Sequence, residues 1–230
     1  MHSTPISRSP RARTPHVAGG VAVLLTVLVA GCTQTASVNS AWHEGATRDR
    51  AFSRVLVVGV SHNLKTRCAF ERYLAGQIGS ESTEAFTSCD SIDKDAREPL
   101  TRESIEQAVA ARQADAVIAT VLVASDMQAA AGGGRDTRGT AGYKATDAGW
   151  WDGYYGVYGV PVIYGEFKST SEITTIQADV TVGTRVFETK GANVVYTLET
   201  RARHVESRAE GLSAITGPIA ERLRRDGLIR

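Results

Sequence analysis

A short polar run carries side chains that could act together in nucleophilic catalysis. It reads Gly59-Val60-Ser61-His62-Asn63, so that a hydroxyl lies next to an imidazole. The sharp turn that exposes a catalytic serine requires Gly-x-Ser-x-Gly, and Asn63 stands where the second glycine belongs. We therefore predict that the chain is not an enzyme.

The polar residues after Gly59 also allow a second interpretation, namely that they bind a small ligand. Two segments that follow apolar strands supply the polar groups: Ser61, His62, Asn63 and Lys65 from one, Ser125 and Asp126 from the other. Open parallel sheets bind ligands at the carboxyl ends of their strands, where the strand order reverses. No glycine pattern typical of phosphate binding occurs there, and fold position alone is an analogy. A solvated loop is therefore the simpler interpretation, and no cofactor is predicted.

The first 32 residues have the layout of an export signal. Three arginines and no acidic residue precede an apolar run, Val17 to Ala30, which is too short to span a bilayer comfortably. The segment ends in Leu28-Val29-Ala30-Gly31-Cys32, which resembles the lipobox of bacterial lipoproteins. The resemblance implies that residues 1–31 are a removed signal peptide. It also implies that Cys32 carries acyl chains such as palmitate, three in all, which is well beyond marginal anchoring.

The residue after Cys32 indicates which membrane a lipoprotein is sorted to. Thr33 follows Cys32, and in proteobacterial lipoproteins the absence of Asp at that position implies the outer membrane. We therefore expect a lipid-anchored protein on the periplasmic face of the bacterial outer membrane. The alternative is an ordinary signal peptide followed by a chance cysteine.

Composition indicates one domain on a linker. The chain has 26 basic and 25 acidic residues, and removal of three arginines with the leader leaves 23 and 25. A nearly neutral chain has no positive surface of the kind that attracts nucleic acid. Residues 32–50 are rich in Ser, Thr and Ala without periodicity, so we predict a flexible tether there and an αβ domain over 51–230.

The elements of that domain begin with three strands. Arg54 to Val60 and Ala116 to Val123 are continuous apolar runs, which are typical of strands covered on both faces, whereas Thr83 to Thr87 is shorter and more polar. Two helices separate the strands, and a β-α-β-α-β order requires parallel strands joined by right-handed crossovers. The order 2-1-3 buries both apolar strands and puts the helices on opposite faces.

Helical spacing defines the crossovers. The first helix covers Lys65 to Ile78, and its predicted apolar face consists of Phe70, Tyr73, Leu74 and Ile78. The second has Thr101 as N-cap and ends near Gln113. Its predicted apolar face consists of Ile105, Ala108 and Val109.

A Gly/Trp/Tyr-rich insertion, residues 128–168, interrupts this pattern. Repeated glycines indicate a loop over Gln128 to Gly149. The aromatic residues that follow are Trp150, Trp151, Tyr154, Tyr155 and Tyr158. These rings either pack on the domain or present rigid faces to a sugar, a protein partner or the lipid interface, and both interpretations stay open.

The C-terminal part predicts a hairpin and a helix. Thr170 to Glu188 alternates so that Val180 and Val182 face a helix layer while Thr181 and Arg185 face outward, and Val194 to Arg203 repeats the alternation after a turn. An antiparallel hairpin should therefore extend the sheet. The last helix starts at a capping-box spacing of Ser207 and Glu210 and ends at Gly227, with Pro218 expected to kink or restart it.

Cys68 and Cys89 are the cysteines that remain once Cys32 is acylated. The first lies in the opening turn of helix one and the second just past strand two, so the parallel topology brings both to the same sheet edge. In an oxidising periplasm we expect a disulfide with Cα atoms within about 7 Å. The alternatives are buried free thiols, or zinc held with His62 and Asp90, although zinc normally needs more committed ligands.

The order of elements resembles the periplasmic αβ domain of the curli-secretion channel lipoprotein, of lipoprotein activators of peptidoglycan synthases, and of the TolB N-terminal domain. Arg54 to Val60, Leu100 to Ala116 and Ile219 to Ile229 are similar to a family of uncharacterised bacterial outer-membrane lipoproteins with a Tyr/Gly-rich insertion. The resemblance implies a non-catalytic adaptor or assembly module with a protein or glycan partner. An oligomeric secretion pore is the alternative, although Pro161 interrupts the one candidate membrane hairpin, Tyr154 to Phe167.

Overall fold

The computed structural model describes residues 36–61, 63–93, 100–131, 138–144 and 173–230. They form an α/β fold with one mixed sheet, which confirms the predicted class. The elements in chain order are β1 (Ala36–Trp42), β2 (Arg54–Val60), α1 (Leu64–Ile78), β3 (Glu84–Thr87), α2 (Ser88–Ser91), α3 (Arg102–Arg112), β4 (Ala116–Ala131), β5 (Arg138–Lys144), β6 (Ile173–Glu188), β7 (Val194–Val205) and α4 (Arg208–Arg225).

The sheet has the strand order β1-β7-β6-β4-β2-β3, and β5 pairs with β4 outside that path. The parallel strands lie in the predicted arrangement, because β2 is between β3 and β4, with Leu56 opposite both Phe86 and Val117. The hairpin of β6 and β7 extends the sheet antiparallel from β4. The sheet differs from the prediction by two further strands, β1 and β5.

β1 corrects the predicted tether. Residues 36–42 pair antiparallel with β7, from Ala36 opposite Ala202 to Trp42 opposite Tyr196. Val38 and Trp42 pack against the core, while Ser37, Asn39 and Ala41 are exposed. A strand of small polar residues has weak intrinsic preference, and its extended form follows from pairing with β7. The domain therefore begins no later than Ala36 rather than at residue 51.

The predicted loop over Gln128 to Gly149 is also partly wrong. β4 continues to Ala131, and β5 pairs with it antiparallel from Arg138 to Lys144. β2 pairs with β4 only as far as Val121, so β5 takes up the same edge of β4 beyond that point. The glycines gave no sign of this pairing, because a ladder is held by backbone groups rather than by side chains.

Two apolar layers cover the faces of the sheet. On one face, α1 and α4 bury side chains against β2, β4, β6 and β7; the central members are Val57, Leu74, Ile118, Val182, Ile219 and Leu223. On the other face, α3 buries Ile105 and Ala108 against Leu56 and Val117. The two crossover helices therefore lie on opposite faces, as predicted for buried parallel strands.

The predicted buried face of α1 is partly wrong. Tyr73 is 44% exposed, whereas Arg67 and Glu71 are buried together with Leu74 and Ile78. The true face follows the spacing 67, 71, 74 and 78, so it is continuous but begins with two charged residues. Because the prediction assigned only apolar residues to the core, its buried face of α1 is rotated about the helix axis relative to the observed one.

α4 is one continuous helix that contains Pro218, so the expected restart does not occur. Proline removes one backbone hydrogen bond inside a helix. Ile215, Ile219 and Leu223 are buried along one side of α4, and that burial outweighs the missing bond. Ser207 caps the start of the helix, and Gly227 follows the end with φ +80°, a conformation that favours glycine.

We predict that Val182→Asp lowers the free energy of unfolding by about 3 kcal/mol, because Val182 is 6% exposed beneath α4 and an unpaired charge would be buried. Thr181→Asp is the matched control, since the neighbouring residue lies on the outer face and is partly exposed. Urea denaturation measures both. Equal destabilisation of the two variants would contradict the register of β6.

Candidate functional site

The carboxyl end of β2 is where the sequence placed its candidate crevice, and the structure places a disulfide there. Cys68 and Cys89 are bonded, with their Cα atoms 5.6 Å apart. Cys89 lies in α2, directly after β3, and is fully buried. The bridge therefore ties α1 to the end of β3, at the edge predicted from the parallel topology.

A buried carboxylate lies beside the bridge. Glu71 of α1 is fully buried, and one oxygen, Oε1, accepts hydrogen bonds from the Gly59 amide at 2.9 Å and the Ser88 hydroxyl at 2.6 Å. The other oxygen, Oε2, accepts from the Cys89 amide at 2.9 Å. One side chain therefore joins α1, the end of β2 and the start of α2. We call Glu71 with these three donors the carboxylate clamp.

Burial and hydrogen bonding act on Glu71 in opposite directions. Loss of water raises the pKa of this carboxyl above its ordinary value, while the three donors and the Arg67 guanidinium, whose Nε lies 3.7 Å from Oε1, work to lower it. Burial is the larger effect, so the net shift of the pKa is upward. Gly59 permits this packing, because a Cβ there would lie 3.1 Å from Cγ of Arg67.

Two of the residues proposed as ligand groups at this crevice, Ser61 and Asn63, make hydrogen bonds within the local turn and helix cap. The Ser61 hydroxyl accepts from the Asn63 amide at 3.2 Å, and the Asn63 side chain caps α1 by accepting from the Thr66 amide at 2.9 Å. Lys65 is exposed. For Ser125 and Asp126 the structure describes only the backbone, within β4, and His62 lies outside the described residues.

A second polar cluster holds β1 to the end of α4. The Tyr196 hydroxyl donates to Asp226, which also accepts from Ser40 at 3.5 Å. Trp42 meets the Tyr196 ring edge-on, with centroids 5.1 Å apart. Burial, with a smaller effect from Asp226, raises the pKa of Tyr196 to about 12. At neutral pH the phenol is therefore a hydrogen-bond donor that secures the edge strand.

The opposite end of the parallel strands carries a charged cluster. Asp115 accepts from the backbone amides of Ser53 and Arg54, each at 2.9 Å. The guanidinium groups of Arg54 and Arg112 lie 4.9 and 5.2 Å from the centroid of Phe86. The Asp115 hydrogen bonds hold together the amino-terminal ends of β2 and β4. The two guanidinium groups make cation-π contacts with the Phe86 ring.

The other predicted site residues lie outside the described residues. They are the lipid attachment residue Cys32 and the aromatic residues Trp150, Trp151, Tyr154, Tyr155 and Tyr158. Within the described ranges, no cluster of three or more His, Cys, Asp or Glu side chains could hold a metal ion. None of the helices in those ranges is both long and apolar enough to cross a bilayer.

Sequence reasoning missed the carboxylate clamp and the Tyr196–Asp226 contact. The available signal for the clamp was the position of Glu71, three residues before Leu74 and on the same helical face. A charged residue on an apolar helical face indicates a buried, hydrogen-bonded group. No such signal marks Asp226, because its partner Tyr196 comes close only through the β1-β7-α4 packing.

Glu71→Gln should destabilise the domain most at acid pH. In the wild type the unfolded glutamate ionises near pH 4.5, while the buried one keeps its proton to higher pH. The free energy of unfolding of the wild type therefore falls by about 1.4 kcal/mol per pH unit between the two pKa values. Glutamine cannot ionise, so its contribution does not change with pH. The difference in free energy of unfolding between the wild type and Glu71→Gln should therefore shrink as pH rises between the two pKa values. Denaturation of both proteins across the pH range measures it.

The matched control for this measurement is Glu103→Gln, at an exposed position on α3, and its difference from the wild type should vary less with pH. A wild-type advantage that grows with pH would mean that the three donors outweigh burial and lower the pKa of Glu71.

Comparisons with known proteins find little. No protein-family model and no curated protein matches the chain. Two solved structures of a PelC dodecamer from Paraburkholderia phytofirmans, one of them a point variant, are similar to the chain at 13% and 8% identity. Each alignment has a TM-score of 0.42 and covers 85% of this chain and 100% of the other. A likeness of this degree carries no argument about function.

Proposed function

We propose that the chain is a lipid-anchored protein of the bacterial outer membrane, facing the periplasm, whose αβ domain is a non-catalytic adaptor or assembly module for a protein or glycan partner. The observation that carries the proposal is the segment from Val17 to Cys32, an apolar run that ends in two small residues and a cysteine. Acyl chains on Cys32 would hold the domain at the membrane.

The disulfide supports the exported location. Bridges persist in oxidising compartments such as the periplasm and are rare where thiols are kept reduced. The bond between Cys68 and the buried Cys89 joins α1 to α2, so it belongs to the folded framework. An exported protein is the class in which such a framework bond is expected.

The contacts at the carboxyl end of β2 support an adaptor more than a catalyst. Ser61 and Asn63 serve a turn and a helix cap, and Glu71 fastens three elements together. Side chains committed in this way hold the backbone and are not presented to a substrate. The partner surface that we favour is the aromatic group Trp150, Trp151, Tyr154, Tyr155 and Tyr158, on the chemistry of those residue types.

Cys32→Ser should abolish acylation, so the protein should remain as an unprocessed precursor in the inner membrane or be released as a soluble form. Membrane fractionation and mass spectrometry of the N-terminal peptide measure this. The matched control is Thr33→Ser, which keeps the cysteine and should retain outer-membrane location. Normal processing of Cys32→Ser and wild-type recovery in the outer membrane would overturn the anchoring proposal.

A photo-crosslinking residue at Tyr155 should capture an envelope protein in living cells if the aromatic segment contacts a protein partner. Tyr73 is the control position, because it is an exposed tyrosine on α1, away from the insertion in sequence. Mass spectrometry identifies the captured protein. If instead the partner is a glycan, Trp150→Ala and Trp151→Ala should weaken binding to isolated cell-wall glycans. The absence of both a captured protein and a loss of glycan binding would argue against the adaptor role.

A further inference from the structure

Two contacts join α1 to α2 through the same residue, the fully buried Cys89. The first is the disulfide to Cys68, with the Cα atoms 5.6 Å apart. The second is the hydrogen bond from the Cys89 amide to Oε2 of Glu71, at 2.9 Å. Cys68 and Glu71 are three residues apart on α1, a spacing that places side chains next to each other on a helix. The bridge and the carboxylate clamp therefore act on Cys89 from neighbouring positions.

α2 depends on contacts with other elements because it is a single turn, Ser88–Ser91. Isolated helices of fewer than about 12 residues are marginal in water. The sheet holds the start of α2, since Thr87 lies opposite Val57 in the β2–β3 pairing. On another side α2 is held to α3, where Arg112 donates to the Asp90 carbonyl at 3.1 Å. Neither of these contacts sets the distance between α2 and α1.

The side-chain contacts that do set this distance differ in exposure. Glu71 is fully buried and accepts from the Ser88 hydroxyl at 2.6 Å as well as from the Cys89 amide. Arg72 donates to Asp90 at 2.7 Å, but these two side chains are 59% and 50% exposed. Water and salt weaken an exposed ion pair, whereas hydrogen bonds are stronger in the low dielectric of the interior. The clamp is therefore the stronger of the two contacts.

We propose that Glu71 is the positioning residue for the bridge. In the folded protein with both thiols reduced, the clamp keeps Cys89 at bridging distance from Cys68. Closure then costs little conformational entropy, because the turn that carries Cys89 is already ordered. Coupling between two contacts is reciprocal, so the bridge also strengthens the clamp. This role is independent of the lipid attachment proposed above.

The exchange that closes the bridge in the folded protein has a defined order. Cys68 is partly exposed and Cys89 is fully buried, so a disulfide oxidant such as oxidised glutathione reaches Cys68 first. The Cys68 thiolate attacks the oxidant, forms a mixed disulfide and releases one glutathione thiolate. The Cys89 thiolate then attacks the Cys68 sulfur and releases the second. Two thiols are oxidised, one glutathione disulfide is reduced, and the two thiol protons pass to the released thiolates. Glu71 acts in the second step by holding Cys89 in reach.

The test measures the equilibrium constant of bridge formation in the full chain with Cys32→Ser, whose only thiols are Cys68 and Cys89. The folded protein is equilibrated with fixed ratios of reduced and oxidised glutathione and quenched by alkylation, and mass spectrometry gives the bridged fraction. Glu71→Gln replaces one acceptor oxygen by a donor and should lower the constant by about fivefold or more. Arg72→Gln is the matched control, because it removes the exposed contact between α1 and α2, and it should change the constant by less than about twofold.

This constant separates positioning from a general loss of stability, because a variant that weakens the bridged and reduced folded forms equally leaves it unchanged. A change in Glu71→Gln no larger than that in Arg72→Gln would overturn the proposal, since the other contacts of α2 would then suffice to hold Cys89. Circular dichroism of the reduced protein checks that each variant is folded. If reduced Glu71→Gln is unfolded, Ser88→Ala decides, because it removes one hydrogen bond between Glu71 and α2. A fall of about twofold or more in Ser88→Ala would support the proposal, and a smaller change would overturn it.

Discussion

β4 is hydrogen-bonded to neighbouring strands along both of its edges, and the rest of the fold depends on this pairing. One edge pairs with β6 over the whole length of the strand, from Ala116 to Ala131. The other edge pairs with β2 and then with β5. Buried backbone groups must find partners, so a strand of this length needs continuous neighbours on both sides. A bonded pair of buried threonine hydroxyls, Thr120 and Thr184, lies within the same β4–β6 ladder.

The carboxylate clamp solves a different problem, the joining of a helix to the end of a buried strand. Gly59, Ser88 and Cys89 present donors that point into the core, and Glu71 supplies the acceptors for all three. A buried carboxylate is costly, but three donors left without acceptors would also be costly. The disulfide at the same place adds a covalent link between α1 and α2. Side chains near the proposed crevice therefore act mainly in holding the fold.

β1 connects the fold to the proposed function. Without it, the domain would begin near residue 51, after a longer linker. Pairing with β7 and the contact of Tyr196 with Asp226 fix the start of the domain at one end of the sheet. Arg222 also donates to the Val38 carbonyl at 3.1 Å, which ties the strand to α4. If Cys32 carries acyl chains, as proposed, little chain separates the lipid attachment residue from the first strand of the domain.

The sequence by itself determined the parts of the fold that rest on hydrophobic periodicity. The apolar runs of β2 and β4, the alternation around Val182 and the cap at Thr101 each identified an element or a buried face, because the burial of apolar surface drives folding and leaves a local pattern in the chain. Cys68 and Cys89 could be paired because parallel strands end at one edge. Only the tertiary structure decided β1 and β5, which have few β-branched or aromatic residues and become strands through backbone pairing with β7 and β4. It also decided Glu71, whose burial depends on donors from two other elements. Hydrogen bonds between segments far apart in the chain leave no periodic trace in the sequence, and for that reason those features could not be predicted from it.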